Sequence, residues 1–485
     1  MNEKSLVRIL KVELNNFKNV NSGNIKFMNY CSVEKEALVK NIDLVGIYGQ
    51  NGSGKTAMVE ALDMLQYILS GKEIDFSKFS GLMNEEKNTK ITTYFYIEGN
   101  QGYKVKYEVE LKKNVETKKI EIFSEILTSW VRGSKWKSEK SVYFQNPFYD
   151  MKAMLKNDAA EIKTTPSSYK KELIFANFIQ NLGIYSAQNN VSLFFNQLMI
   201  DILIKENCES VPILTDILKQ MSIFANCYFH IVKVDQLGII NSSDVLPINF
   251  HQEYQGVVSN GCLPLFMNGF GVIPEKVYSQ LERAISSINI AIKSVVPNLK
   301  IELEKASDDT DKDGNKIVKV EVYSVRDEKK FLTKYESEGI KRIISLLNYL
   351  ISAYNDPRIC LVIDELDAGI FEYVLGDLLG AFYENAKGQL IFTSHNLRIL
   401  ERLSMKNIVC STTNPDNRYI VLKGVDTNNN HRDFYIRALS LGGQNEELYD
   451  NNDLQSIEYA FRNSQAKKSE VDLRFSDEIN QMLQD

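Results

Sequence analysis

The chain has 485 residues, enough for two or three lobes, and its 44% hydrophobic and 25% charged content is that of an ordinary globular protein. A formal net charge of −6 excludes a wholesale basic surface for nucleic acid and leaves room only for local basic patches. No apolar run reaches membrane-spanning length, Met1 to Leu6 lacks the apolar core of a signal peptide, and the six scattered cysteines form no C-x-x-C pair. The expectation is a cytoplasmic protein with reduced thiols and no membrane partner.

The first residues read as a strand, Leu6 to Leu14, a turn-rich exit at Asn15 to Val20, and a returning strand at Gly23 to Phe27. Ile42 to Tyr48 is an apolar run of the kind a buried parallel strand needs. It leads into Gly49-Gln50-Asn51-Gly52-Ser53-Gly54-Lys55-Thr56, which fits G-x-x-x-x-G-K-[ST]. Thr56 to Ser70 follows with apolar residues at helical spacing. Strand, glycine-rich loop and helix are what phosphate binding requires. Gly49, Asn51, Gly52, Ser53 and Gly54 turn backbone N–H groups onto phosphate oxygens, and the helix N-terminus adds partial positive charge. Lys55 reaches the β- and γ-phosphates, and the Thr56 hydroxyl binds Mg²⁺.

Beyond an irregular polar stretch, Ile91 to Ile97 and Tyr103 to Leu111 alternate as a hairpin around Asn100-Gln101-Gly102. Ile120 to Val131 continues as a third strand or a short helix. The lysines from Lys112 to Lys140 read as a solvated face. From 151 to 298 the spacing turns helical, most clearly at Leu173 to Leu182, Val191 to Lys205, Val211 to Phe224 and Glu275 to Val296, with Leu237 to Phe250 strand- or loop-like. This predicts a largely helical insertion. His230 and His251 have no ligand-spaced partners and read as structural histidines. Leu299 to Lys305 and Lys316 to Val325 alternate as strands on either side of Asp309-Thr310-Asp311-Lys312-Asp313-Gly314. That run starts like a calcium loop, but Val320 occupies the bidentate position, so it reads as an acidic hairpin tip.

Tyr335 to Arg342 opens a helix that runs to about Tyr354, capped at Glu336 or Ser337. The apolar run Ile359 to Ile363 ends in Asp364-Glu365, the form of a Walker B strand. Asp364 would help hold Mg²⁺, and Glu365 would accept a proton from the attacking water. Leu390 to Thr393 is the next strand. It carries Ser394-His395-Asn396 at its end, on the edge where open α/β sheets bind ligands. Arg398 to Leu403 reads as a short helix. Asn407 to Cys410 and Tyr419 to Lys423 read as closing strands, Thr427 to His431 as an Asn-rich loop, and the polar end as a surface helix or a partly ordered tail.

The ordered set of P-loop, Ser-x-Gly before a helix, Asp-Glu strand end and Ser-His strand end resembles the ABC-type ATPase heads of SMC, RecF-like and OLD proteins. It is most similar to the stand-alone ATPase subunits of bacterial antiphage systems such as Septu, PARIS and retron-linked modules. The similarity covers about Leu6 to Leu127 and Ile301 to Cys410. It implies an α/β fold with an antiparallel N-terminal sheet, a mixed or parallel P-loop core sheet and a helical insertion. The implied divisions are 1–150 and 299–440 for the two halves of the head, 151–298 for the insertion and 441–485 for a polar tail. It also implies ATP and Mg²⁺ as cofactors, His395 as the switch histidine, Leu366 to Gly369 as the D-loop, and Ser337 and Gly339 as a signature contacting the partner subunit's ATP. Lys18 and Asn19 become nucleotide-binding positions, and Gln101 and Gln145 are the candidates for a Q-loop glutamine. The signature departs from Leu-Ser-Gly-Gly-Gln at Glu336, Glu338 and Ile340.

The functional expectation is an ATPase, slow in turnover, whose heads associate as a homodimer or higher homo-oligomer on binding ATP and control a separately encoded nuclease or toxin in antiphage defence. The alternatives are a RecF-like repair clamp, with DNA as partner, and a nucleotide-held scaffold that barely turns ATP over.

Overall fold

The computed structural model describes residues 6–27, 43–98, 102–132, 140–145, 181–205, 212–234, 245–254, 257–266, 270–423, 431–449 and 455–464. Two six-stranded sheets carry the head. The first is an antiparallel meander whose strands are β1 (Leu6–Phe17), β2 (Val20–Lys26), β4 (Thr89–Glu98), β5 (Gly102–Asn114), β6 (Lys119–Val131) and β7 (Lys140–Gln145), in the order β2-β1-β4-β5-β6-β7. Alternation is clean on β5, where Tyr103, Val105, Tyr107, Val109 and Leu111 are buried and the residues between them are not, the signature of a sheet with one face on the core.

The second sheet contains β3 (Asp43–Tyr48), β8 (Phe229–Val232), β15 (Cys360–Ile363), β16 (Gln389–Thr393), β17 (Ile408–Ser411) and β18 (Tyr419–Ile420), in the order β18-β17-β3-β16-β15-β8. All neighbours pair in parallel except β17 and β18. Every residue of β3, β15 and β16 is buried, which is why their central residues read as continuous rather than alternating apolar runs. Helix α1 (Lys55–Leu69) touches both β1 and β8 and shares one continuous core with the two sheets.

Gln389 joins the sheets. Its side-chain oxygen accepts from the Ile9 amide at 3.1 Å, and its nitrogen donates to the Ile9 carbonyl at 2.8 Å and to Asp43 Oδ2 at 2.6 Å. The fully buried Arg8 beside it donates to the Lys387 carbonyl.

A smaller sheet packs on the far side. It is built from β11 (Gly271–Pro274), β12 (Lys300–Thr310) and β13 (Lys316–Arg326), with β14 (Lys329–Leu332) paired to β13. Helix α4 (Glu275–Val295) and helix α5 (Glu338–Asn355) close its core through Leu281, Ile288, Ile292, Ile344 and Leu347. Leu346 and Leu350 on the same α5 belong to the main core, so this helix is the wall between the two. The Asp309–Gly314 stretch is a hairpin tip in which Asp311 accepts from the amides of Asp313 and Asn315 at 2.9 and 2.8 Å, an Asx-type turn.

The 120–131 stretch is strand, not helix. The expectation of one largely helical insertion over 151–298 is corrected in two places. Helices α2 (Gln197–Lys205) and α3 (Pro212–Ile223) are present, but a π-turn at Phe224–Tyr228 then delivers β8 to the edge of the core sheet beside β15. Gln66 of α1 holds that turn by donating to the carbonyls of Ala225 and Phe229. Next, β9 (Val245–Tyr254) and β10 (Val257–Phe266) form a hairpin where a strand or loop was expected. Most of the Leu173 to Leu182 helix, and Gln101, lie outside the described residues. Helix α6 (Glu372–Asn385), with glycines at 376 and 380 diluting its apolar stripe, and helix α7 (His431–Leu441) were not read from sequence. Among the described residues no helix is long and apolar enough to cross a membrane.

Gln389→Leu removes the bridge and leaves the buried Ile9 backbone groups short of partners, so it should cost about 2–3 kcal/mol, read as a lower urea midpoint. An unchanged midpoint would show that the two sheets are not joined through this amide.

Candidate nucleotide-binding site

The loop after β3 sits at the C-terminal edge of the parallel sheet, where strand carbonyls end and helix amides begin. Gly54 is the N-cap of α1 with φ +91°, a left-handed conformation that a side chain would strain. Nothing lies within 4 Å of a side chain imagined on Gly52, so the mouth of the loop is open. Asn51 and Gly52 are exposed, whereas Ser53, Gly54 and Lys55 are buried. Lys55 Nζ donates to the carbonyls of Gly49 and Gln50, both at 2.9 Å. Burial pulls its ammonium below the ordinary lysine range, and Asp364, Glu365 and Asp367 pull it back. A buried cation under an open ring of amides suits a polyphosphate anion.

Several residues hold this loop from behind. Ser411 Oγ is 2.5 Å from Ser53 Oγ and donates to the Tyr48 carbonyl at 3.0 Å. Tyr419 donates its hydroxyl to the Gly54 carbonyl at 2.7 Å, and Arg418 donates to the Asn19 and Thr412 carbonyls, both at 2.6 Å. Asn19 in turn donates to the Gly52 carbonyl. Lys18, with φ +53°, turns to an ion pair with Glu60 on α1 at 2.8 Å. Asn19 thus touches the loop through its side chain, whereas the Lys18 side chain turns to the helix behind it. Ser411, Arg418 and Tyr419 were missed, because nothing local in a closing hairpin marks it as packing against a loop over 350 residues away.

Strand β16 lies between β3 and β15, and its last residue binds the two acidic residues together. Thr393 Oγ1 donates to Asp364 Oδ1 at 2.6 Å and accepts from the Glu365 amide at 2.7 Å. Thr56 Oγ1 is 3.5 Å from the same Asp364 oxygen. Thr56 and Asp364 thus face each other with oxygen donors, a set that suits Mg²⁺. Glu365 has φ +45°, so the chain leaves the strand axis at this residue. The signal for Thr393 was present as a strand terminus next to His395, yet threonine at a strand end is too common to single out.

The His395 amide points at the Asp367 carboxylate, 3.2 Å from Oδ2. Desolvation and then the Lys55 charge lower its imidazole below 6.5, against the opposing pull of Asp367, Glu365 and Asp364. Burial and the nearby ammonium thus both favour the neutral ring.

Ser337 and Gly339 do not join this cluster of charges. Ser337 is exposed and caps α5, with its side chain accepting from the Ile340 amide at 3.4 Å. Gly339 lies against the Leu366–Gly369 turn, where a Cβ would stand 2.0 Å from the Gly369 carbonyl, so only glycine fits. Glu338 is exposed but ion-paired to Lys341 at 2.8 Å, and Glu336 is buried against Arg326 at 2.9 Å. The side chain of Gln145 lies outside the described residues.

A neutral His395 contributes stability that is present above 6.5 and is lost as pH falls through its lowered folded value. An NMR titration of the imidazole should give a midpoint below 6.5, and Lys55→Ala should move it upward. A midpoint above 6.5 in the unaltered protein contradicts the electrostatics described for this edge.

Comparison with known proteins bears on what this edge belongs to. Among solved structures, an SMC head bound to the C-winged helix domain of ScpA matches at 13% identity over 85% of this chain and 97% of that chain, with a TM-score of 0.41. The SMC head domain from Thermotoga maritima matches at 13% identity over 86% and 100%, with a TM-score of 0.34. The recombination mediator RecF matches at 12% identity over 85% and 98%, with a TM-score of 0.33. No curated protein matches the sequence. The family described as AAA ATPase domain matches residues 8–400, a span that runs from β1 past His395 and includes both edges of the site. The chain belongs to the AAA ATPase domain family.

Proposed function

We propose that this chain is a Mg²⁺-dependent ATPase of the ABC type whose heads are joined by ATP, and that this association controls a separately encoded nuclease or toxin in antiphage defence. The observation that carries the reading is the convergence of Lys55, Thr56, Asp364, Glu365 and His395 on one sheet edge, tied through Thr393. In it, Lys55 and the amides of Gly49 to Gly54 bind the phosphates, and Thr56 and Asp364 hold the metal. Bound Mg·ATP supplies the phosphoryl group that is transferred to water. Glu365 takes the proton from that water, and His395, neutral, orients it.

Two features support a second copy as part of the site. The N-terminus of α5 at Ser337 is exposed, and its partial positive charge suits an anion brought by a partner. The pairing of Glu338 with Lys341 offsets the negative charge that would repel a phosphate there. A protein partner is supported by the helix at 455–464, which leaves Ile457, Tyr459 and Phe461 exposed. Turnover is slow in this reading because a switch needs a persistent ATP state.

Glu365→Gln keeps the shape of the site and loses the base, so it should retain ATP without hydrolysing it. Light scattering should show it as a dimer with ATP and a monomer without. Adding Ser337→Arg should return it to a monomer, and Lys55→Ala should lose ATP affinity in calorimetry. Hydrolysis by Glu365→Gln at the parent rate, or a monomer at high concentration with ATP, would refute the proposal.

A further inference from the structure

The guanidinium of Arg342 is used by nothing described so far. Arg342 stands on the first turns of α5, five residues after Ser337, and is fully buried. Its Nη2 donates to the Asp364 carbonyl at 3.3 Å. Among the described residues its Nε and Nη1 have no hydrogen-bond partner. A buried cation with two unmet donors is costly, and a fold keeps one where a group arrives to answer it. The carboxylates whose charges reach Arg342 are those of Asp364 and Glu365. Asp364 Oδ1 is already engaged by Thr393 and Thr56. Glu365 is half-buried, and its amide, rather than its carboxylate, is what Thr393 holds.

We infer that Arg342 is a positioning residue: its free N–H groups receive the Glu365 carboxylate and hold it in place for hydrolysis. The inference rests on the reading of Glu365 as the base. It adds a consequence for the dimer. Because Ser337 and Arg342 ride on the same short stretch of α5, the turn that would meet a partner's nucleotide and the group that sets the subunit's own base move as one body. An arginine suits the role because its planar fork can serve the Asp364 carbonyl and a carboxylate together, and a lysine cannot reproduce that.

Arg342→Met and Arg342→Lys are compared with the unaltered protein and Glu365→Gln, with thermal unfolding measured for each. Arg342→Met should lower kcat at least about tenfold, a share of what a positioned general base contributes, with ATP affinity unchanged. Arg342→Lys, which restores the buried charge without the fork, should recover part of kcat. If Arg342→Met unfolds, the lysine variant decides alone: a reduced kcat with unchanged ATP affinity and an unchanged melting temperature supports the role. Parent kcat in a folded Arg342→Met or in Arg342→Lys overturns it, and so does a loss confined to ATP affinity. The failure of the underlying reading looks different, since Glu365→Gln would then hydrolyse ATP at the parent rate whatever Arg342 does.

Discussion

The organisation of this head depends on one five-residue strand, Gln389–Thr393, lying between the P-loop strand and the acidic strand. Its first residue fastens the core sheet to the antiparallel sheet through Ile9 and Asp43. Its last residue fastens Asp364 to the amide of Glu365. A parallel sheet aligns all its C-terminal ends on one edge, so inserting this strand fixes the lateral separation between the loop that would hold phosphate and the carboxylates that would act on it. Gln389, Thr393, Asp43 and Asp364 are all buried, so the hydrogen bonds at the two ends are made largely away from water, which makes the placement stiff.

The sequence exposed what is local. A P-loop is a contiguous solution to a contiguous problem, so Gly49 to Thr56 could be placed with its strand and helix. The Asp-Glu strand end and the Ser337 cap are likewise written in a few adjacent residues. What could not be read depends on distant partners. Thr393, Arg342, Gln389 and Arg418 are ordinary residue types whose importance comes from contacts made by folding. Strand β8 was hidden because Phe229–Val232 follows an apolar helix pattern with only Asn226 to interrupt it, and the π-turn re-aims the chain. Helix α6 was hidden by Gly376 and Gly380 inside its repeat, which weaken a helix in isolation.

In the proposed reading the site draws on two places that one chain leaves apart. The phosphate loop, the acidic pair and His395 form one cluster, while the exposed Ser337 turn rests against Gly369 through Gly339. The same helix separates the main core from the smaller one, so a displacement of its N-terminus would be felt by the packing on both sides. This is a geometry in which association of two heads would have consequences beyond the contact itself, including for a protein docked at a distance.

The most direct test asks whether one site needs residues from two chains. Lys55→Ala lacks the lysine proposed to bind phosphate, and Ser337→Ala lacks the cap of the turn proposed to meet a partner. In a mixture, a Ser337→Ala subunit can pair its intact Lys55 with the intact Ser337 of a Lys55→Ala subunit. The account predicts that ATP hydrolysis by the mixture rises clearly above the average of the two variants measured separately. Hydrolysis equal to that average, across concentrations at which the heads associate, would contradict a site shared between two copies.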